Sequence, residues 1–165
     1  TDVTQLTGAA RDSFRADHIG IIFQMFNLIP YLSPLDNIIL PCRFSERRNT
    51  SAIKRSNVKE EGLRLLSHMQ LNDVVNIHSP ALELSVGQQQ RVAAARSLIG
   101  SPELIIADEP TSALDHDIRE IFLNLLFEEV ANAGITLLFV SHDASLAGRF
   151  DRRIKLNEIN EACSK

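Results

Sequence analysis

Two acidic residues stand directly after a short apolar segment, where they could bind a metal ion and activate a water. Residues 104–107 have the continuous apolar character of a strand that is covered on both faces of a parallel sheet, and Asp108 and Glu109 follow them. Mg²⁺ is usually held by one or two carboxylates together with phosphate oxygens, which suits Asp108. Glu109 can orient or deprotonate a water that attacks a phosphate. The alternative is a strand that ends in a solvated acidic turn.

A second candidate lies at a predicted helix start. Ser85, followed three positions later by Gln88, has the pattern of a capping box, which leaves backbone N–H groups and the positive end of the helix dipole facing outward. Val86 and Gly87 lie between them, and the glycine would let an anion approach closely. Phosphate binding at this helix start is one interpretation, and an ordinary helix cap is the other.

Three more polar residues stand at the ends of predicted elements. Gln24 ends a strand over 19–23, and its amide oxygen could reach a metal ion or a water. His142 follows the strand over 135–140, where an imidazole could face a phosphate, although a structural histidine is the alternative. Asp115 precedes a helix over 116–132 and has a simple explanation as its N-cap.

The elements that must position these residues alternate between helix and strand. Helices over 86–99 and 116–132 surround a strand over 103–107, and Gly134 is placed to end the second helix. This alternation favours an α/β domain whose functional residues collect at the carboxyl ends of parallel strands. We expect Ile118 and Ile121 to face inward and the last strand to be buried.

The region between Gln24 and Ser85 has a different character. Residues 25–85 form a mainly helical insertion, in which Ser33 and Pro34 begin a short helix that Pro41 stops. The polar residues 43–57 are predicted to form a loop.

Composition limits the partners. The chain has 165 residues, 44% hydrophobic content and a net charge of −4, as expected of one globular domain that binds no nucleic acid. No apolar run reaches the length of a membrane span, so no direct membrane insertion is expected. Cys42 and Cys163 lack the spacing of a metal site or a disulfide scaffold, which favours a reducing, cytoplasmic setting.

From about Ile19 to Leu156, the order of these motifs resembles the nucleotide-binding domain of ATP-binding-cassette (ABC) transporters. The resemblance implies a P-loop NTPase-like parallel sheet with an inserted helical subdomain, and ATP and Mg²⁺ as cofactors. It makes Asp108 the metal ligand, Glu109 the catalytic glutamate, His142 the switch histidine and Gln24 the glutamine that contacts Mg²⁺ or water.

The resemblance also implies protein partners. Ser85, Gly87 and Gln88 would grip ATP bound to a second ATP-binding subunit in a head-to-tail dimer, and Asp115 closes the loop beside them. Val86 replaces the first of two glycines usual at that point. A transmembrane permease subunit would hold the protein at the inner face of the membrane. The amino-acid sequences of residues 23–30 and 35–38 resemble those of the lipoprotein-releasing and macrolide-exporting branch of the family.

One expected motif is absent from the sequence. No Gly-x-x-x-x-Gly-Lys-Ser/Thr loop occurs in the 165 residues, so the N-terminal strands and the Walker A loop are expected upstream of Thr1. The chain is then a partial ABC ATPase domain, with 25–85 as the helical subdomain and 1–24 and 86–165 as the remnant of the α/β core, and it is predicted to be inactive alone. A non-catalytic module that lends its signature helix to a partner's ATP is an alternative. A DNA-repair-type ATPase head is less favoured, because no heptad run separates Gln24 from Ser85.

Overall fold

A three-stranded parallel sheet forms the centre of the computed structural model, which describes residues 1–54, 56–72, 76–155 and 158. The strands are β1 (Ile19–Ile22), β2 (Leu104–Asp108) and β3 (Thr136–Val140), in that spatial order. Ile22 lies beside Ala107, and Asp108 lies beside Val140. The carboxyl ends of the strands therefore meet at one edge of the sheet, as the sequence predicts.

Helices surround the sheet and build the region between β1 and β2. Their bounds are α1 Gly8–His18, α2 Pro34–Ile39, α3 Pro41–Phe44, α4 Glu46–Ile53, α5 Val58–His68, α6 Val86–Leu98 and α7 His116–Ala133. Short 3₁₀ turns cover Val3–Gln5, Ala81–Glu83 and Ala144–Arg149. The helical character predicted for 25–85 is observed, as are the helices predicted over 86–99 and 116–132. Residues 156, 157 and 159–165 of the predicted core segment lie outside the described residues.

Helix α6 packs directly on β1 at Gly20. A Cβ atom at this position would lie 2.4 Å from the backbone carbonyl oxygen of Ser97. Only glycine permits that approach, so the residue type fixes how closely the helix that starts at Ser85 sits on the sheet. The buried core around this contact includes Ile22, Val92, Ala95, Ile99, Ile105, Phe122 and Leu126.

Caps predicted from the sequence define two helix ends. Ser33 accepts a hydrogen bond from the backbone N–H of Asp36 at 3.1 Å and starts α2 at Pro34. Gly134 ends α7 in the left-handed conformation, with φ of 64°. Pro41 does more than stop α2, because it also occupies the first turn of α3.

The prediction of a loop over 43–57 is wrong, because α4 occupies most of this segment. Ser45 caps this helix by accepting from the N–H of Arg48, and its hydroxyl donates to Asp17 at 2.6 Å. Arg48 is buried and donates to the carbonyl of Ser97. The helix is thus stabilised by tertiary contacts of a buried arginine, which a search for apolar periodicity does not detect.

Two burial expectations are also wrong. Ile118 and Ile121 of α7 are 38% and 45% exposed, and Leu138 and Val140 of β3 are 48% and 46% exposed. Leu138 and Val140 project from the same face of the sheet, so their exposure means that the described elements cover this face only in part. No strand among the described residues pairs with the second edge of β3. No helix in the described part of the chain is both long and apolar enough to cross a membrane.

Candidate functional site

Glu109 has an unusual backbone conformation at the end of β2. Its φ is 46°, in the left-handed region that costs a residue with a Cβ about 1–2 kcal/mol. Its N–H donates to the carbonyl of Val140 at 3.0 Å, and its own carbonyl accepts from the hydroxyl of Ser112 at 3.0 Å. Pro110 adds to this, because a following proline disfavours the right-handed helical region. The strand end is therefore fixed in a turn that few residues adopt without a cause.

The turn brings Glu109 to His142. Glu109 Oε1 accepts from the backbone N–H of His142 at 2.9 Å and lies 2.8 Å from Nδ1 of the same residue. The Glu109 side chain is 22% exposed, whereas that of His142 is 81% exposed. The carboxylate is therefore held in place from one side, and the imidazole beside it is open to solvent.

Asp108 and Gln24 lie at the same edge with their side chains free. Both residues are exposed, and no described side chain hydrogen-bonds to either of them. Nowhere in the described ranges do three or more His, Cys, Asp or Glu side chains form a group that could hold a metal ion. Asp108 and Gln24 instead fit an ion such as Mg²⁺, which keeps several waters and takes its remaining ligands from phosphate oxygens.

Ser85 and Gln88 form the predicted capping box at the start of α6. Gln88 N–H donates to Ser85 Oγ at 3.3 Å, and Gln88 Oε1 accepts from the N–H of Ser85 at 2.8 Å. Val86, between them, is 48% exposed. The box orients the first turn of the helix and leaves an exposed, partly apolar surface next to it.

Gly87 lies against the start of α7. A Cβ atom here would lie 3.1 Å from Ile118 Cγ2 and 3.9 Å from Leu114 Cδ2. The missing side chain therefore makes room for the start of α7, and the approach of an anion to this glycine stays a prediction. This contact places the Ser85 helix start beside the segment that carries Asp115.

Asp115 occupies the N-cap position of α7, but its carboxylate makes no capping hydrogen bond. The residue is exposed. The hydrogen bond that defines a side-chain helix cap is therefore missing at Asp115. No hydrogen bond among the described residues joins this region to Asp108 or Gln24.

An ion pair beside His142 was not anticipated from the sequence. Asp143 accepts from the N–H and hydroxyl of Ser145 at 2.8 and 2.7 Å, and Arg119 of α7 donates to its other oxygen. The hydrogen bonds from Ser145 are the largest cause, and that from Arg119 the next largest, of a pKa of Asp143 lowered to about 2. The sequence signal was an aspartate placed to cap the turn over 144–149. The pair fixes the chain directly after His142.

Comparison with known proteins gives one consistent result. The family model described as ABC transporter matches residues 1–112. A lipoprotein-releasing system ATP-binding protein, LolD of Syntrophotalea carbinolica, is 38% identical over 94% of this chain and 65% of its own length. The uncharacterized ABC transporter ATP-binding protein YbbA of Escherichia coli is 42% identical over 89% of this chain and 61% of its own. The macrolide export ATP-binding/permease protein MacB of Rhodopirellula baltica is 37% identical over 95% of this chain and 22% of its own length.

Solved structures agree with the sequence matches. The dimeric post-hydrolysis state of the ATP-binding cassette MJ0796, bound to ADP and Pi, superposes with a TM-score of 0.70 at 36% identity. It is matched over 87% of this chain and 60% of that chain. The chain thus has the fold of an ABC ATPase cassette, and it spans 65% or less of the length of each of these relatives.

Proposed function

This chain belongs to the ABC transporter family, and we propose that it is an ATP-binding subunit that couples ATP binding and hydrolysis to transport by a membrane partner. The observation that carries the proposal is the contact between Glu109 and His142, held by a left-handed turn at the carboxyl edge of the sheet. Backbone strain of this kind persists where the surrounding structure enforces it, and it is concentrated at functional sites.

Each residue at the sheet edge has a proposed role in hydrolysis. Glu109 orients or deprotonates the attacking water, and His142 faces the γ-phosphate or that water from its exposed position. Asp108 and Gln24 would hold Mg²⁺, which neutralises charge on the phosphate oxygens when bound. The free, exposed carboxylate and amide support this assignment, because a pre-bonded side chain would have to break a contact first.

The start of α6 is proposed to bind ATP held by a second subunit. Ser85, Val86, Gly87 and Gln88 would contact its phosphate, with Asp115 beside them. The capping box directs the helix N-terminus outward, and Gly87 joins it to the segment before α7. Ser85, Val86 and Asp115 are exposed, and no hydrogen bond among the described residues joins them to Asp108. Such a surface suits a head-to-tail dimer in which each ATP contacts both subunits.

An exposed apolar patch supports a transmembrane partner. Tyr31 and Leu82 are 77% and 73% exposed, and they are neighbours because the N–H of Leu82 donates to the carbonyl of Pro30 at 3.1 Å. Met25, directly after Gln24, is 78% exposed. Exposed apolar side chains of this size favour a protein contact. A permease subunit bound here would place the protein on the cytoplasmic face of the membrane.

A second candidate function is a non-catalytic module that donates only its signature helix. The observation that favours it is the capping box of Ser85 and Gln88, which forms this helix start without any hydrogen bond to Asp108 or Gln24 among the described residues. Because a Gly-x-x-x-x-Gly-Lys-Ser/Thr loop supplies a lysine to the β- and γ-phosphates and none occurs in these 165 residues, we expect no ATP turnover by the 165-residue polypeptide alone.

One experiment tests both candidates. ATP hydrolysis is measured for this chain mixed with a full-length ATP-binding subunit of the family whose own signature serine is replaced, while sedimentation verifies that a mixed dimer forms. Turnover that is lost with Ser85→Arg, and kept with Ser67→Arg on an exposed face of α5, would support donation of the signature helix. A second mixture then separates the candidates: the partner keeps its signature serine but has its own catalytic glutamate replaced, so that turnover can come only from the site that contains Glu109. Only a chain with its own catalytic role shows turnover there and loses it with Glu109→Gln. A mixed dimer without turnover in the first mixture would refute the proposal.

A further inference from the structure

Arg96 of α6 holds the backbone turn that follows Gln24. Its guanidinium donates to the carbonyl of Asn27 at 2.6 Å and to the carbonyl of Phe26 at 2.7 Å. Arg96 is half-buried, and burial lowers the pKa of this residue. A planar guanidinium can bond two adjacent carbonyls at once, which an ammonium group cannot do with the same geometry.

The turn needs such support because its backbone is strained. Phe26 and Asn27 have φ of 59° and 49°, two consecutive non-glycine residues in the left-handed region. Inside the turn, the N–H of Phe26 donates to the carbonyl of Phe23 at 3.1 Å, and the N–H of Asn27 donates to that of Met25 at 2.6 Å. Gln24 lies within these short-range bonds, so its place depends on the turn.

A buried asparagine fixes the chain beyond the turn. Asn37 is fully buried, and it exchanges hydrogen bonds with the N–H and the carbonyl of Ile29 at 2.8 and 3.0 Å. Among the described residues, the hydrogen bonds that reach the turn between Ile22 and Ile29 from another element come from Arg96. Removing Arg96 would therefore release the segment that carries Gln24 while its two ends stay attached.

We propose that Arg96 is a positioning residue that sets the place of the Gln24 amide relative to Asp108. The proposal rests on the function proposed above for Gln24, and it deepens that function by naming what holds the residue. Arg96 lies on α6, the helix that Ser85 caps, so one rigid helix carries both the Ser85 helix start and the arginine that supports the turn. About ten residues of α-helix, roughly 15 Å, separate Arg96 from the helix start.

Arg91 provides a matched control on the same helix. It donates to the carbonyls of Met69 and Gln70 at 3.1 and 3.3 Å, and Gln70 also has a left-handed φ of 54°. Both arginines therefore support a left-handed turn from α6, at different places. A loss of general stability would follow from either substitution, whereas a loss of order around Gln24 should follow only from replacing Arg96.

The first experiment measures amide hydrogen exchange and the Gln24 side-chain amide resonance by NMR in the full 165-residue chain. Arg96→Met should raise exchange at Phe26 and Asn27 about tenfold and shift the Gln24 resonance. Arg96→Lys should restore part of the protection, because its ammonium group can still donate to a carbonyl of the turn but lacks the planar geometry for both. Arg91→Met should leave residues 24–27 unchanged. Equal effects of the Arg96→Met and Arg91→Met substitutions, or none from Arg96→Met, would overturn the proposal.

A second readout uses Mn²⁺ with ATP as a paramagnetic probe. In Arg96→Met the broadening should persist at Asp108 and weaken at Gln24 at least twofold relative to the wild type. Undiminished broadening at Gln24 would overturn the positioning role. Absence of broadening at Asp108 in the wild type would instead contradict the proposed function, and the exchange measurement, which needs no nucleotide, would still decide the role of Arg96.

Discussion

At the scale of single residues, Glu109 combines a functional side chain with an unfavourable backbone. The sequence predicted its place after β2 but could not predict its left-handed φ of 46°. The bonds to Val140 and Ser112 that enforce this conformation come from another strand and from a later turn. Strain of this kind is decided by tertiary structure, so a local pattern cannot reveal it.

A matched pair of variants tests the backbone of Glu109. Glu109→Gly and Glu109→Ala both remove the carboxylate, and they differ by one Cβ. We expect the glycine variant to be more stable by about 1 kcal/mol, because only glycine populates the left-handed region without a penalty. Urea unfolding of both variants measures the difference. An alanine variant that is equally or more stable would show that the turn is not left-handed.

Asp143 should make stability depend on pH in the acid range. Its hydrogen bonds to Ser145 and its pairing with Arg119 lower its pKa from 3.8 to about 2. A depressed carboxyl pKa contributes stability above the unfolded value, and this contribution is lost as the pH falls toward the folded value. Asp143→Asn should therefore be less stable than the wild type above about pH 4, and the difference should shrink between about pH 4 and pH 2.

Chemical unfolding across that range checks the expectation for Asp143. Asp12→Asn is a suitable control, because the Asp12 side chain is 74% exposed and pairs with an exposed arginine on its own helix. A difference between Asp143→Asn and the wild type that stays constant from pH 5 to pH 2 would exclude a depressed pKa as its cause.

At the scale of elements, a buried ionic cluster joins α5 to α7. Arg64 of α5 donates to Glu129 of α7 at 2.9 Å and to Glu61 at 2.9 and 3.0 Å. Glu61 and Glu129 are both 4% exposed. The bonds to Glu129, and next those to Glu61, raise the pKa of Arg64 above its ordinary value. The cluster ties the helical insertion to the helix that follows Asp115.

Arg64→Met should destabilise the protein substantially. The substitution removes a cation that two buried carboxylates share, and His68, whose Nδ1 lies 3.2 Å from Glu129 Oε1, does not replace the bonds that Arg64 makes to both of them. Because the Arg64 side chain is 39% exposed, we expect about 2–3 kcal/mol, at the low end for buried pairs. Arg15→Met, which breaks the exposed pair with Asp12, should cost less than about 0.5 kcal/mol. Similar losses in the two variants by urea unfolding would contradict this account of the cluster.

The elements differ in how well the sequence predicts them. β1, β2, α6 and α7 follow from apolar runs, caps and Gly134, which are local signals. α4 was mistaken for a loop, because its stability comes from buried Arg48 and the Ser45 cap. The predicted burial of β3 and of Ile118 was also wrong, because the exposure of a side chain depends on which elements pack against it. Arg96 was missed for the same reason: its carbonyl partners lie 69 and 70 residues away in sequence.

At the scale of the whole molecule, the second edge of β3 pairs with no strand among the described residues. Leu138 and Val140 are nearly half exposed, and the strand over 136–140 contains no charged residue. Edge strands of natural proteins usually carry charges, prolines or bulges that prevent pairing with other chains. We therefore expect this edge to pair with the edge of a second copy, so that the 165-residue chain self-associates.

Light scattering tests this expectation directly. The 165-residue chain should self-associate, and a variant carrying Leu138→Lys and Val140→Lys should shift toward monomer, because charges on an edge oppose strand pairing. Ile53→Lys introduces the same charge at a residue that is 51% exposed on α4, and it should not have this effect. A monodisperse wild-type monomer would contradict the expectation.

Asp108, Glu109, His142 and Gln24 are proposed to form one metal and phosphate site at the carboxyl edge of the sheet. The most direct test is the NMR spectrum of the 165-residue chain with ATP and Mn²⁺, which broadens resonances near the bound ion. We predict the strongest broadening at these four residues and its loss in Asp108→Asn. Broadening centred on another surface, or unchanged by Asp108→Asn, would contradict the account.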